Sequence, residues 1–208
     1  EFVDGYSIIK STLDKHNIKA GFFFTGDFFR NEDNSQIIRT LKDAGHYIGA
    51  HSDKHLLYAD WSKRDSTLVT KEELLADIKN NYAEMRKFGI NYEDAKYFMP
   101  PYQWYNEEIS EWAKLIGITI VNFTPGTNAN QDWTYPELGD RYFSSEKIIE
   151  KIYEYEETNS LGMNGFILLT HIGADEKRPD KLYNRLDEII TELKKRGYTF
   201  TLFSDALN

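Results

Sequence analysis

The chain has 208 residues, 40% of them hydrophobic and 15% aromatic, with no cysteine and a net charge of −9. That length holds one domain with a sizeable core rather than two, and the missing cysteines exclude disulfides and thiolate metal sites. The acidic balance disfavours a nucleic-acid partner, because phosphate binding needs a basic face, and no run of about 18 apolar residues offers a membrane span.

The sequence opens mid-pattern at Glu1-Phe2-Val3-Asp4-Gly5, as though a strand preceded it, and no signal peptide is visible. Tyr6 to His16 reads as an amphipathic helix with Ile8, Ile9 and Leu13 on one face. The apolar run Lys19 to Gly26 reads as a strand buried on both sides. Ser35 to Ala44 is a second helix, stopped by Gly45.

The next strand, Tyr47 to Ala50, delivers His51 and, four residues on, His55. Two neutral imidazoles at that spacing can converge on one metal ion if the backbone between them turns like a helix. The plainer reading is a pair of solvated loop histidines.

Leu56 to Val69 is irregular and holds Trp61. Thr70-Lys71-Glu72-Glu73 is a capping box. The helix it opens stacks Leu74, Leu75, Ile78, Tyr82 and Met85 on one stripe and stops near Gly89. Lys96 to Met99 is a short strand that runs into Pro100-Pro101-Tyr102. Asn106 to Leu115 is helical, and Ile118 to Asn122 is a strand.

Phe123 to Phe143 lacks periodicity, and a loop of that length is usually functional or mobile. A helix over Ser145 to Tyr155 precedes a strand over Gly165 to Thr170, which ends on His171. A last helix over Asp180 to Lys195 and a strand over Tyr198 to Leu202 close the chain.

Six helices thus alternate with six strands, the pattern of a parallel α/β sheet or barrel. In such folds the chemistry sits on loops after the strands. His51, His55, Tyr102 and His171 all follow predicted strands, and this co-location lifts the histidine pair above its plainer reading.

With these residues in view, the chain resembles the polysaccharide deacetylases of the NodB type, carbohydrate esterase family four, over nearly its whole length. Lys19 to Gly26 is similar to that family's second strand, Gly45 to His55 to its His-Ser/Thr-x-x-His metal motif with the strand before it, and Leu168-Leu169-Thr170-His171 to its Leu-x-x-His motif. The resemblance implies a single catalytic domain, N-terminally incomplete. Its fold is a distorted (β/α) barrel of about seven strands, the first lying upstream of Glu1. It implies removal of acetyl groups from N- or O-acetylated sugars of a polysaccharide or oligosaccharide, of peptidoglycan, chitin or xylan type. One divalent metal ion, zinc in many members, is held by two histidines and a carboxylate, and the setting is extracytoplasmic.

Carried over residue by residue, His51 and His55 become metal ligands, with Glu1 or alternatively Asp4 as the carboxylate. His171 becomes the general acid, and the Tyr102 backbone amide helps bind the oxyanion. This chain departs from the pattern at three places. Val3 stands where the family has its base aspartate, if Phe2-Val3-Asp4-Gly5 is matched literally. Met99 stands where an arginine orients that base, and the fourth motif survives only as Asp132-Trp133.

Asp132 is expected to pair with Arg141, Arg178 or Arg64 in place of that arginine, or to be solvated. Asp175 is a candidate to orient His171, and Arg178 to bind substrate and to fill the vacancy at Met99. Trp104 and Trp133 read as walls of a sugar groove or as core. Val3 and Met99 also fit a second reading, a carbohydrate-binding pseudoenzyme that keeps the groove without turnover.

Overall fold

The computed structural model describes residues 2–207. In chain order the helices are α1 (Tyr6–His16), α2 (Gly26–Arg30), α3 (Ser35–Asp43), α4 (Lys71–Arg86), α5 (Glu107–Leu115), α6 (Ser145–Thr158), α7 (Leu186–Lys195) and α8 (Phe203–Ala206). The strands are β1 (Gly21–Phe24), β2 (Tyr47–Ala50), β3 (Tyr97–Phe98) and β4 (Thr119–Ile120). The chain divides into two compact units: the described part of Glu1–Lys19 with Phe123–Ala206, and a second body formed by Ala20–Asn122.

The second body carries the sheet. Its strands run in the order β1-β2-β3-β4 and every neighbouring pair is parallel. Parallel pairing requires a crossover between successive strands; α3 links β1 to β2, α4 links β2 to β3, and α5 links β3 to β4. Every residue of β2 is buried. In β1 only Phe24 is buried, and Gly21 to Phe23 are half-exposed. The expectation of burial on both faces fails there, where β1 stands at the end of the sheet order among the described residues.

Local signals set several boundaries. The capping box on α4 is closed in both directions: the Thr70 hydroxyl accepts the Glu73 amide at 3.2 Å and Glu73 accepts the Thr70 amide at 2.7 Å. Thr25 caps α2 by accepting the Phe28 amide at 3.0 Å. That cap turns the end of the first predicted strand directly into a helix that periodicity did not reveal.

The other unit builds its core from Ile148, Ile149 and Ile152 of α6, Met163, Leu182, and Ile189 and Leu193 of α7, with Phe166, Leu168, Tyr198 and Phe200 packed against them. Two expected strands, 165–170 and 198–202, are not paired in a sheet among the described residues. The apolar side chains that suggested strands, Phe166, Leu168, Tyr198 and Phe200, pack on this core instead. The backbone rung at Ile167 is half side chain: Thr124 N–H donates to the Ile167 carbonyl at 3.0 Å, while the Ile167 N–H donates to the Thr124 hydroxyl.

The helix expected from Asp180 begins only at Leu186, after a 3₁₀ turn over Leu182–Arg185. Asp180 is held elsewhere: its carboxylate accepts the Tyr142 phenol at 2.6 Å and the Ser145 amide, and its carbonyl accepts the Arg178 Nε–H at 2.6 Å.

Candidate functional site

The histidine loop is set by β2 and by two polar residues of α4. His51 leaves β2 with its amide bonded to the Phe24 carbonyl at 3.0 Å and to the Asn81 side-chain oxygen at 2.9 Å. Four residues earlier on the same helical face, Asp77 accepts the amides of Asp53 at 3.2 Å and Lys54 at 3.1 Å and the Tyr58 phenol at 2.6 Å. Asp77 and Asn81 are buried at 5% and 0% exposure; on the apolar stripe of α4 they replace hydrophobic contacts with a clamp on the loop. Replacing Asp77 with Ala removes the acceptor of two buried donors, the Asp53 amide and the Tyr58 phenol, and of the part-buried Lys54 amide. It is expected to cost about 3 kcal/mol in chemical denaturation, at about 1–3 kcal/mol for each unsatisfied group with partial relaxation.

The loop also leans on α2. Gly26 and Asp27 amides donate to the Ser52 and Asp53 carbonyls at 3.0 and 3.3 Å, and a Cβ on Gly26 would collide with the Asp53 carboxylate. That carboxylate is engaged by Arg30 Nη1 at 2.6 Å, so the one acid inside the histidine motif is committed to an ion pair.

Between the histidines the backbone does not turn like a helix. Ser52 and His55 adopt φ of 72° and 54°, a left-handed conformation that costs on the order of 1–3 kcal/mol per non-glycine residue and clusters at functional sites. The rings still converge, with centroids 5.0 Å apart at 67°. His51 Nδ1 lies 2.7 Å from the Met99 carbonyl. A carbonyl only accepts, so Nδ1 carries the proton and Nε2 is the basic nitrogen, the arrangement that orients a metal-ligating histidine.

Two imidazoles on one tetrahedral ion, with nitrogens about 2.0–2.1 Å from it, place their centroids about 5 Å apart. The separation of the His51 and His55 rings matches that arrangement. Among the described residues no cluster of three or more His, Asp or Glu completes such a site. Glu1, the first choice for the carboxylate, lies outside the described residues. Asp4, the alternative, already accepts the Ala174 amide at 3.0 Å and the Tyr183 phenol at 2.5 Å and pairs with Lys181 at 3.3 Å. Burial pushes the Asp4 carboxyl up, but those three partners outweigh it and hold its pKa below the ordinary value.

After β3 the chain makes a second left-handed passage, with φ of 58° at Tyr102 and 54° at Gln103. Tyr102 is 46% exposed, and its ring meets His55 edge-on at 4.4 Å. Trp61 packs edge-on to Tyr102 at 5.4 Å and stacks with Trp104 at 5.6 Å. Trp104 is half-buried, with its indole N–H donated to the Asp60 carbonyl at 3.1 Å. Trp61, which the sequence placed only in an irregular stretch, is 55% exposed and is the most open ring of this group.

In the other unit His171 is gripped by Asp132. One carboxylate oxygen accepts the His171 amide at 2.8 Å, and the other lies 2.6 Å from Nδ1. Asp132 is 4% exposed. Burial pushes the His171 pKa down, but the Asp132 charge and hydrogen bond push it up more strongly, leaving it above its ordinary 6.5.

Two expectations change here. Asp132 serves the histidine rather than Arg141, Arg178 or Arg64. Asp175 does not touch His171: its carboxylate accepts the Lys177 amide at 3.0 Å, and its carbonyl accepts Lys181 at 2.6 Å. Asp132 can reach both the amide and the ring because it ends a 3₁₀ turn, Ala129–Gln131, inside the segment that read as structureless.

Arg178 is neither a substrate-binding residue nor the replacement for the missing family arginine. It is 1% exposed, and its guanidinium donates to the carbonyls of Asp180, Thr134 and Phe143 and to the Ser145 hydroxyl at 2.5–3.1 Å. Arg178→Ala is expected to cost about 3–5 kcal/mol, the usual penalty for breaking a buried charged network, read as a lower denaturation midpoint. Trp133, next to Asp132, is 42% exposed and so is not core.

Residues 3–121 match the family model for polysaccharide deacetylases. The chain belongs to the polysaccharide deacetylase family, NodB type, carbohydrate esterase family four.

Among relatives, the chain is 28% identical over 207 residues to the peptidoglycan-N-acetylmuramic acid deacetylase PdaA of Bacillus subtilis, covering 99% of this chain and 68% of that protein. Among solved structures, a family-four pseudoenzyme from Bacillus anthracis superposes with a TM-score of 0.71 at 17% identity, covering 100% of this chain and 62% of that one. A family-four acetyl xylan esterase from Clostridium thermocellum, solved with a cobalt ion, gives 0.70 at 25% identity, covering 97% and 83%. The chain thus spans roughly two thirds of the length of PdaA and of the pseudoenzyme. The parallel α/β architecture is that of the deacetylase family. No helix among the described residues is long and apolar enough to cross a membrane.

Proposed function

We propose that the chain is a metal-dependent hydrolase that removes acetyl groups from N- or O-acetylated sugars of an extracytoplasmic polysaccharide of peptidoglycan, chitin or xylan type. The observation that carries this reading is the His51–His55 pair, whose rings lie 5.0 Å apart with the His51 tautomer pinned by the Met99 carbonyl. His51 and His55 are assigned as ligands of one divalent ion, zinc by preference, and Glu1 is the sequence candidate for the carboxylate. When bound, the ion supplies polarisation of the acetyl carbonyl and a water of lowered pKa.

His171 is assigned as the general acid. With Nδ1 committed to Asp132, the imidazolium gives its Nε2 proton to the departing amine or alkoxide. Tyr102 is assigned to the oxyanion through its backbone amide, and Trp104 and Trp133 to sugar stacking. One catalytic activity is assigned to the whole described chain.

Acetate release from acetylated glucosamine oligomers, peptidoglycan strands and acetyl xylan tests the reading, measured with and without a chelator. Chelator-insensitive release overturns the metal assignment.

A second reading rests on Val3 and Met99, which occupy the places of the family's base and its orienting arginine in a literal match, and the likeness to a pseudoenzyme supports it. Glycan binding without acetate release from any of the three substrates selects that reading.

A further inference from the structure

Arg64 takes no part in the chemistry above. Its side chain is exposed, and its Nε–H donates to the Tyr105 carbonyl at 2.8 Å. Its Cζ lies 4.4 Å from the centroid of the Trp104 ring and 5.7 Å from that of Tyr105. The guanidinium is thus anchored at one nitrogen and laid on an indole, which fixes its plane.

The two terminal nitrogens, carrying four of its five donors, make no hydrogen bond or ion pair among the described residues. The acids near it in sequence do not neutralise it. Asp60 accepts the amides of Ser62 and Lys63 at 2.8 and 2.7 Å, and Asp65 is exposed and forms no ion pair among the described residues. In a chain with 34 acidic and 25 basic residues, this arginine is held flat and open.

The guanidinium is also joined to the histidine pair by rings. His55 meets Tyr102, Tyr102 meets Trp61, and Trp61 stacks with Trp104, each step between 4.4 and 5.6 Å. Exposed indole and phenol faces along such a line suit pyranose rings. A planar fork of donors at its end suits a carboxylate, which accepts two parallel N–H bonds. A neutral glycan offers that fork only hydroxyl and amide oxygens, which accept without the charge that strengthens a carboxylate contact.

We infer that Arg64, presented by Trp104, binds a carboxylate carried by a sugar of the substrate glycan, with Trp61 as the stacking face for that sugar. The chain is therefore selective for acidic glycans. This rests on the deacetylase reading for the identity of the ligand as a glycan. The carboxylate is either the lactyl ether of a muramic acid or the C6 group of a uronic acid.

Tryptophan fluorescence titration of the metal-free protein separates this inference from the catalytic one. The probes are a muramic-acid tetrasaccharide from peptidoglycan, the same compound with its carboxylates reduced to alcohols, and an acetylated xylo-oligosaccharide bearing glucuronic acid. The wild-type protein is expected to bind at least one acid-bearing glycan about tenfold more tightly than the reduced compound, as a charge-assisted bidentate contact requires, and less so as salt is added. Arg64→Gln is expected to abolish that preference and Arg64→Lys to keep part of it, since lysine keeps the charge and loses the fork. Which acidic glycan binds identifies the source of the carboxylate.

Equal affinity of the wild-type protein for acidic and reduced glycans, or an undiminished preference in Arg64→Gln, overturns the inference. A carboxylate preference that depends on Arg64, found together with no acetate release from any metal-loaded sample, supports the inference while sinking the deacetylase reading.

Discussion

If the chain is the metal-dependent deacetylase proposed above, His51→Ala and His55→Ala are each expected to abolish binding of one divalent ion, and with it to lower acetate release by about a thousandfold or more. A metal that polarises the carbonyl and acidifies water supplies several kcal/mol of barrier lowering, and each 1.36 kcal/mol is tenfold in rate. Metal content after dialysis and kcat/KM with zinc added back measure the two effects. A variant that retains a stoichiometric ion removes that histidine from the ligand set.

Loss of fold does not mimic this result. The loop backbone is held by the Asn81 and Asp77 side chains and by α2, contacts that do not use the imidazoles and that His51→Ala leaves in place; the Nδ1 hydrogen bond to the Met99 carbonyl that it removes is worth about 1 kcal/mol. Affinity should also weaken on acidification, since a ligating imidazole must be neutral.

How much of this was readable in the residues follows from what each signal depends on. Tyr47 to His55 was legible because an apolar strand and a short spaced motif are local. So was the α4 clamp in principle, since Asp77 and Asn81 interrupt the same helical face as Leu74, Ile78, Tyr82 and Met85. The service Asp132 gives to His171 was not legible: it joins positions 39 apart through a 3₁₀ turn with no periodicity.

Arg178 misled for a related reason. A charged side chain in a polar stretch reads as available to a ligand or to an unpaired acid, and only the convergence of four acceptors from Thr134, Phe143, Ser145 and Asp180 makes its burial tolerable. The segments 165–170 and 198–202 read as strands on apolar content, which a sheet and an irregular core-packed run share equally.

Asp132→Asn is expected to lower kcat by about 10²–10⁴-fold and to move the alkaline limb of the pH–rate profile downward. An amide can turn its NH₂ toward Nδ1 and stabilise the wrong tautomer, and it carries no charge to support the imidazolium. In the wild-type protein, His171 titrates above 6.5 because the Asp132 charge overcomes the burial penalty. In the acid role proposed for it, His171 works in its protonated form, so the rate is expected to fall as pH rises through that raised value. Removing the charge leaves burial alone, which drives the pKa below 6.5 and starts the fall earlier.

Stability follows the same sign. A group whose folded pKa is raised contributes stability that is complete below the unfolded pKa of 6.5 and is lost as pH climbs through the higher folded value. Denaturation midpoints of the wild-type protein should therefore decline across that window, and those of Asp132→Asn should not. An Asp132→Asn enzyme that loses rate at an unmoved alkaline limb would assign Asp132 to holding the His171 amide alone. In a His171→Ala background Asp132→Asn should cost little further rate, because the carboxylate acts on the reaction only through that ring.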